Sequence, residues 1–170
     1  MEPGRATINS MESKNSCTAS LRVELATLFS DLVRLETELW EMIDRRLRRD
    51  HDLPLSWFEP LQVIDRVPNC RVADIAETLS ITVGGTSKLV DRIERAGLCS
   101  RAPNPDDARS SVLALTRAGR RVLLAARGSF DEELEARLGA AVSPEQLALV
   151  ASTVRAVRRH LANHKEMHDD

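Results

Sequence analysis

Basic side chains are concentrated in one segment of this 170-residue chain, residues 82–121. The segment carries a local charge of +4, whereas the rest of the chain carries −6. Its cations are Lys88, Arg92, Arg95, Arg101, Arg109, Arg117, Arg120 and Arg121. A basic segment on an otherwise acidic body concentrates positive potential where a polyanion can bind. A solvated helix surface with arginine-rich ends is the alternative interpretation.

The residue patterns of common catalytic sites do not occur in the sequence. It has no Gly-rich phosphate loop, no G-x-S-x-G motif and no H-E-x-x-H motif. His160, His164 and His168 recur every four residues and could share a helix face that binds zinc. So close to the end of the chain, a solvated polar helix end is the preferred interpretation. We therefore predict neither an enzyme nor a cofactor or metal.

The composition predicts a soluble, mostly α-helical protein. Aromatic residues make up 3% and there is no Tyr, which argues against a many-stranded β fold. No apolar run approaches the roughly 18 residues of a membrane helix, and the N-terminus lacks a signal-peptide pattern. The distant cysteines Cys17, Cys70 and Cys99 form no disulfide framework, so we expect a cytoplasmic protein. Residues 1–19 are predicted to be a disordered tail, and Met11 is an alternative start.

The first and last predicted helices each carry one narrow apolar seam. In residues 20–50 the seam has alternating spacings of four and three residues and consists of Leu21, Leu25, Leu28, Leu32, Leu35, Leu39, Ile43 and Leu47. In the last helix it consists of Leu147, Val150, Val154, Val157 and Leu161. Thirty helical residues span about 45 Å, longer than the core of one small domain requires. This excess length suggests a partner chain.

The second helix is predicted to begin at Ser56. This serine stands three residues before Glu59, the spacing of a capping box. The helix should end at the breaker Val67-Pro68-Asn69, and Pro60 is tolerable because it lies in the first turn.

A helix-turn-helix is predicted immediately afterwards. Residues 72–79 form the first helix, and Thr82 is expected to cap the second. The apolar stripe of the second helix is predicted to be Val83, Leu89, Val90 and Ile93. Gly97 should end this helix in a left-handed conformation. Two helices joined by a three-residue turn are typical of a DNA-reading unit.

A β-hairpin is predicted after the helix pair. Residues 98–102 and 111–115 resemble short strands, and the eight residues between them are rich in turn formers. Thr116 is then expected to cap a helix that extends to Leu138. Ser143, followed by Pro144 and Gln146, should begin the last helix.

These segments together resemble the MarR family of winged helix-turn-helix regulators. The resemblance is carried by residues 72–77, by 86–98 and by the stretch from Arg101 through Arg109 to Thr116. It implies a mostly α fold with a hairpin wing, a homodimer joined through the terminal helices, a double-stranded DNA operator and a small-molecule effector. The implied organisation is a dimerisation helix at 20–50, a DNA-binding lobe at 51–119 and C-terminal helices at 120–165. Repression is the expected outcome of DNA binding.

The resemblance also implies which side chains contact DNA. Residues 83–96 become the recognition helix, entering the major groove with an exposed N-terminal half. The candidate contacts on this element are Thr82, Thr86, Ser87, Lys88 and Arg92. For Thr82, service as a helix cap alone is the competing interpretation. Arg109 matches the wing-tip arginine that reaches the minor groove, Asp107 would anchor the hairpin by pairing with an arginine, and Ala108 replaces a commonly basic residue.

The effector site implied by the resemblance lies between the dimer seam and the DNA-binding lobe. Trp40, Trp57 and Phe58 are the large aromatic residues of that zone and the candidate ligand contacts, although each alone is more commonly a core residue. A ligand with a planar apolar body is therefore the hypothesis.

Two alternatives stay open at this point. Cys17 raises the possibility of a redox-responsive regulator of the same fold, although the family's reactive thiol is oriented by tyrosines that this chain lacks. A helical interaction module without DNA binding is the other, and a hairpin tipped by Arg109 argues against it. RNA binding is disfavoured because the chain has only five aromatic residues on which bases could stack.

Overall fold

The computed structural model describes the backbone of residues 5–104 and 107–166, and the side chains of residues 20–104 and 110–164. Over this part of the chain the elements are six α-helices, one π-helical turn and one β-hairpin. In chain order they are α1 (Arg5–His51), α2 (Leu55–Arg66), α3 (Val72–Leu79), α4 (Val83–Arg95), β1 (Cys99–Asn104), β2 (Asp107–Leu115), α5 (Arg117–Leu134), the π-turn (Glu135–Gly139) and α6 (Pro144–Glu166). The predicted fold class is confirmed.

The chain divides into two compact units, residues 1–41 and 42–170. The first unit is the N-terminal part of α1, and the side chains of residues 1–19, including Cys17, lie outside the described residues. The tail predicted at 1–19 therefore stays a prediction. None of the described helices is both long enough and apolar enough to span a membrane.

The core of the second unit joins α2, α3, α4 and α5. Phe58, Leu61 and Val63 of α2 are completely buried, as are Val90 and Ile93 of α4. The C-terminal part of the α1 seam also belongs to this core, since Ile43 and Leu47 are buried. Within the second unit, the seam of α1 therefore contributes Ile43 and Leu47 to the core.

The predicted start of α2 is wrong. The helix begins at Leu55 after Pro54, which is extended, and neither Ser56 nor Glu59 forms the expected cap. The Leu55 amide instead donates to Oδ1 of Asp44, a side chain of α1, at 2.8 Å. Leu53 and Leu55 are both buried and hold the link against the core. A cap supplied by a different helix removes the need for a local one.

The remaining caps follow the sequence prediction. Thr82 accepts a hydrogen bond from the Gly85 amide at 3.2 Å, and Thr116 accepts one from the Gly119 amide at 3.0 Å. Ser143 and Gln146 form the reciprocal bonds that begin α6. Gly97 follows α4 with φ of 73°, as expected for a left-handed terminus.

Helix α5 was predicted to extend to Leu138, but its regular α-helical part ends before that residue. Regular α-helix ends at Leu134, and the π-turn covers Glu135–Gly139. Here Glu133, a largely buried carboxylate, accepts from Arg137 at 3.0 Å and lies 3.6 Å from Arg46. The contact with Arg46 connects the end of α1 to the end of α5, and the contact with Arg137 connects α5 to the π-turn.

Candidate nucleic-acid interface

One face of α4 carries three positive charges. Lys88, Arg92 and Arg95 follow each other at spacings of four and three residues, which places them on one side of the helix. All three side chains are exposed, and among the described residues no carboxylate oxygen lies within 4.0 Å of their charged nitrogens. Cations without intramolecular partners keep their full charge available for an external anion.

The wing is connected to α4 through Arg101 of β1. Its guanidinium lies 2.6 Å from Asp91 and 3.5 Å from Glu94, and its backbone amide donates to Glu94 at 3.0 Å. Both carboxylates belong to α4, so these contacts set the position of the hairpin relative to the cationic face. Sequence reasoning counted Arg101 only as one of several cations. The sequence signal for its ion pairing was the presence of two carboxylates, Asp91 and Glu94, three residues apart on the preceding helix.

The hairpin is also fixed at its base. Strands β1 and β2 are antiparallel, with Cys99 opposite Leu115 and Arg101 opposite Leu113. The Leu113 amide donates to the Cys70 carbonyl at 2.7 Å, which attaches β2 to the segment before α3. Arg109 lies in β2, but its side chain and that of Asp107 are outside the described residues. Their predicted roles stay predictions.

The predicted exposure of the α4 N-terminal half is only partly correct. Thr82 is exposed and Ser87 is half-buried, but Thr86 is completely buried and its hydroxyl donates to the Thr82 carbonyl at 2.9 Å. Val83, predicted to face the core, is 57% exposed. Thr86 occupies the position on the buried face, four residues before Val90. The placement of Thr86 at the surface is therefore wrong, and no DNA contact is assigned to it.

The three aromatic residues predicted to line an effector site differ in their surroundings. Phe58 is completely buried and stacks against Phe130 with ring centroids 4.9 Å apart, so it is a core residue. Trp57 is half-buried, and Trp40, in the first unit, is 41% exposed. An open cleft of about 1290 Å³ does exist within the second unit, lined by α3, the α3–α4 turn and α6. None of the three aromatic residues lines this cleft.

The two described cysteines lie in surroundings that disfavour the thiolate. Cys70 and Cys99 are buried and unpaired, and burial raises the pKa of each thiol to about 11. A neighbouring carboxylate adds to the effect in each case, Asp74 for Cys70 and Glu94 for Cys99. Since the thiolate is the reactive form, neither group is suited to sensing peroxide.

This leads to a prediction about thiol reactivity. In the native protein at pH 8, Cys70 and Cys99 should not react with Ellman's reagent on the timescale of minutes, because a thiol with a pKa of about 11 is almost entirely protonated there. Both should react once the protein is unfolded in guanidinium chloride. The variant Cys17→Ser isolates these two thiols, and rapid native labelling of that variant would contradict the prediction.

The histidine face of α6 gives no metal site in the described residues. The His160 and His164 rings meet edge to face with centroids 4.5 Å apart. His168 lies outside the described residues, and within them no group of three or more potential ligands is suited to hold a metal ion.

The helix pair α3–α4, followed by a hairpin that is ion-paired to α4, defines a winged helix-turn-helix protein. Residues 51–110 match the family model of the MarR family. An HTH-type transcriptional regulator of Bacillus subtilis strain 168, YfiV, is 27% identical over 118 residues, covering 68% of this chain and 71% of that protein.

Solved structures support the same assignment. Sco3205, a MarR family transcriptional regulator from Streptomyces coelicolor solved in complex with DNA, is 25% identical with a TM-score of 0.75, covering 81% of this chain and 88% of its own. The transcriptional repressor CouR, solved on a 23-mer DNA duplex, is 26% identical with a TM-score of 0.68, covering 75% of this chain and 89% of its own. Residues 51–110 therefore resemble the MarR family, and the chain has the winged helix-turn-helix fold of DNA-binding transcriptional regulators.

Proposed function

We propose that this protein binds duplex DNA as a homodimer, with α4 in the major groove and the wing at the adjacent minor groove. The observation that carries the proposal is the cationic face of α4, formed by Lys88, Arg92 and Arg95, which have no carboxylate partner among the described residues. An α-helix fits the major groove of B-form DNA, where long cations meet phosphates or guanine edges. Thr82 and Ser87, at the start of the same helix, complete the proposed contact set.

The wing supplies the second contact of each subunit. We assign Arg109 to the minor groove, because β2 carries this residue near the turn of the hairpin and a narrow A·T-rich groove attracts a guanidinium group. The ion pairs between Arg101 and α4 support this arrangement, since they keep the hairpin in register with the recognition helix. Both elements can then meet one duplex without rearrangement.

The first test uses DNA from upstream of the gene for this protein. The protein should shift that duplex in a gel, and a footprint should show two half-sites about one helical turn apart. Two-fold symmetry in the footprint is required, because each subunit presents one recognition helix. A protein that shifts neither this DNA nor any duplex from a random-sequence library would contradict the proposal.

Substitution of the α4 cations gives a quantitative prediction. Lys88→Ala should cost about 1 to 3 kcal/mol of binding free energy and relax sequence preference if Lys88 reads a base. Arg92→Ala should weaken binding to all duplexes and lower the slope of log affinity against log salt by about one unit for each phosphate that is no longer neutralised. The matched control is Arg45→Ala, also an exposed arginine on a helix. Unchanged affinity in both α4 variants would contradict the assigned roles.

The homodimer is proposed from the apolar seams of α1 and α6. Five seam residues of α1 are 46–55% exposed and five of α6 are 44–62% exposed. They are Leu21, Leu25, Leu28, Leu32 and Leu35 on α1, and Leu147, Val150, Val154, Val157 and Leu161 on α6. The flanking charge is complementary, since residues 20–41 carry −3 and residues 144–164 carry +2. We assign residues 20–50 and 120–165 to dimerisation and residues 51–119 to DNA binding.

We further propose that the protein is a cytoplasmic repressor released from DNA by a small aromatic ligand. CouR, which is named a repressor, supports the direction of regulation. Within the second unit, the half-buried Trp57 remains the assigned ligand contact, whereas the buried Phe58 does not. Phenolic and aromatic acids should quench tryptophan fluorescence and release bound DNA at the same concentrations. Flat fluorescence and intact complexes across the panel would contradict this part of the proposal.

A further inference from the structure

The apolar seam of α1 is bordered on one side by a row of carboxylates. Glu24, Asp31 and Glu38 follow each other at spacings of seven residues, which places them along one flank of the helix beside the seam leucines. All three side chains are exposed. Among the described residues, no charged nitrogen lies within 4.0 Å of their carboxylate oxygens. The row therefore keeps its negative charge available for a cation outside this part of the chain.

The seam of α6 is bordered by cations instead. Arg158 borders the seam directly after Val157, and Arg155 lies one turn earlier on the same flank. Both side chains are exposed, and no carboxylate oxygen of the described residues lies within 4.0 Å of either guanidinium group. Opposite charges thus border the two exposed seams.

The flank of α6 that carries Arg158 is also open. Arg158 and Leu161 line the cleft of about 1290 Å³ beside the α3–α4 turn. Ile81 and Val83 line the same cleft and are exposed as well. For a helix about 10 to 12 Å in diameter, this volume corresponds to roughly 8 to 11 residues. A second helix therefore has room to lie against this flank of α6.

We propose that α1 of each subunit pairs with α6 of its partner, with the carboxylate row against Arg155 and Arg158 of the partner subunit and with part of α1 seated in the partner's cleft. The pairing rests on the proposed homodimer and specifies which helices meet across it. Flanks on these sides of two seams face each other when the helices run in the same direction, so the pair is parallel. A two-fold axis repeats the contact, and each dimer contains it twice.

The same charges disfavour the pairing of identical helices. In a pair of α1 helices the carboxylate row has no row of cations to meet, and in a pair of α6 helices Arg155 and Arg158 have no row of carboxylates. Complementary flanks in a coiled coil determine which helices pair. The combination of α1 with α6 is the one that matches both charge and apolar surface.

Reversal of the charge on either flank tests this pairing. The first full-length variant carries Glu24→Lys, Asp31→Lys and Glu38→Lys, and the second carries Arg155→Glu and Arg158→Glu. In each variant alone, like charges meet at both contacts of the dimer. The dimer dissociation constant should therefore rise about 100-fold, as measured by sedimentation velocity over a range of concentrations.

A mixture of the two variants gives the decisive result. In a heterodimer, lysines of the first variant meet glutamates of the second at one contact, and the native charges meet at the other. The co-expressed variants should therefore form a heterodimer with an affinity within about tenfold of the wild-type dimer. An affinity tag on the first variant should recover the second in equal amount. Rescue in this mixture requires that the paired helices belong to different subunits.

Two controls complete the experiment. Ser30→Lys with Thr37→Lys adds cations at the same seven-residue spacing on the opposite face of α1, and this variant should remain a dimer. A chain with all five reversals should also dimerise, because its flanks are again complementary. If that chain dimerises and the mixture does not, α1 and α6 pair within one chain and the proposed exchange is overturned.

The remaining outcomes separate this pairing from the homodimer itself. A wild-type dimer that is unaffected by reversal of either flank overturns the pairing of α1 with α6 and leaves the homodimer intact. A wild-type protein that sediments as a monomer overturns the proposed homodimer and this pairing together.

Discussion

Replacement of both Leu28 and Leu32 by glutamate is expected to convert the proposed dimer into a monomer and to lower the affinity for duplex DNA about 100-fold or more. The two side chains are 55% and 49% exposed in the single chain. Burial of a leucine contributes about 1.5 to 3 kcal/mol, and a two-fold interface contains each substituted position twice. Carboxylates at four places in an apolar seam are too costly to bury.

The loss of DNA affinity follows from the loss of bivalency. When two recognition helices are joined, the second binds at the high effective concentration set by the first, which raises affinity by about 10² to 10⁴. A monomer keeps every contact of one half-site and loses this gain. The intrinsic fold of residues 42–170 should be unaffected, because Leu28 and Leu32 belong to the other compact unit.

Sedimentation velocity at micromolar concentration, combined with gel shifts, measures both effects. The matched control is Ser30→Glu with Thr37→Glu, which adds the same charge on the face of α1 opposite the seam. This variant should remain a dimer. A wild-type protein that sediments as a monomer, or a doubly substituted Leu28/Leu32 variant that remains dimeric, would contradict the role of the seam.

The parts of the fold that sequence predicted well are those determined by neighbouring residues. Thr82, Thr116 and Ser143 each cap the start of a helix. In each case the side-chain hydroxyl accepts a hydrogen bond from the backbone amide three residues later in the chain. Such caps depend on side-chain chemistry and spacing that are visible in the sequence. The wing was predictable for the same reason, because turn formers stand between two short strands.

The sequence predictions were wrong where contacts with a distant element determine the local structure. Ser56 does not cap α2 because Asp44, eleven residues before Leu55 in the chain, supplies the acceptor. The prediction placed Val83 in the core and Thr86 at the surface, because it relied on hydrophobicity alone. In the structure Val83 is exposed and Thr86 is buried. Thr86 lies on the buried side of α4, and its hydroxyl donates to the Thr82 carbonyl, so it can be buried without an unpaired donor.

The candidate DNA site could be predicted from the sequence only in part. The identity of the α4 cations was evident from the sequence, and their helical spacing placed them on one face. That Lys88 and Arg92 lack carboxylate partners among the described residues, whereas Arg101 is paired with Asp91, depends on tertiary geometry. Charge content alone therefore identifies the segment, and only the structure separates the cations that hold the wing from those available to DNA.

Replacement of Gly119 by alanine is expected to lower the free energy of unfolding by about 4 kcal/mol, near the upper end of single-substitution effects. A Cβ at this position would lie 1.8 Å from the carbonyl oxygen of Leu98 and 2.8 Å from its carbonyl carbon. Both are backbone atoms, so no rotamer change relieves the overlap. The first turn of α5 would have to move away from the residues that precede β1.

That movement would break the contacts that join α5 to the end of α4. The Thr116 amide donates to the Leu98 carbonyl at 3.1 Å, and the Thr116 hydroxyl donates to the Gly97 carbonyl at 2.6 Å. Both bonds depend on the close approach that Gly119 permits. The hairpin begins at Cys99, so its base would be displaced together with them.

Urea denaturation followed by circular dichroism measures the loss, and Gly128→Ala provides the comparison within the same helix. The two substitutions add the same methyl group to α5, but a Cβ at Gly128 has open space around it. Gly128→Ala should therefore raise the unfolding free energy by about 1 kcal/mol, whereas Gly119→Ala lowers it. Equal stability of the two variants would mean that α5 does not lie against Leu98. The wing would then lack one of the contacts that fix its base, and its position would depend on Arg101 and on the bond from Leu113 to Cys70.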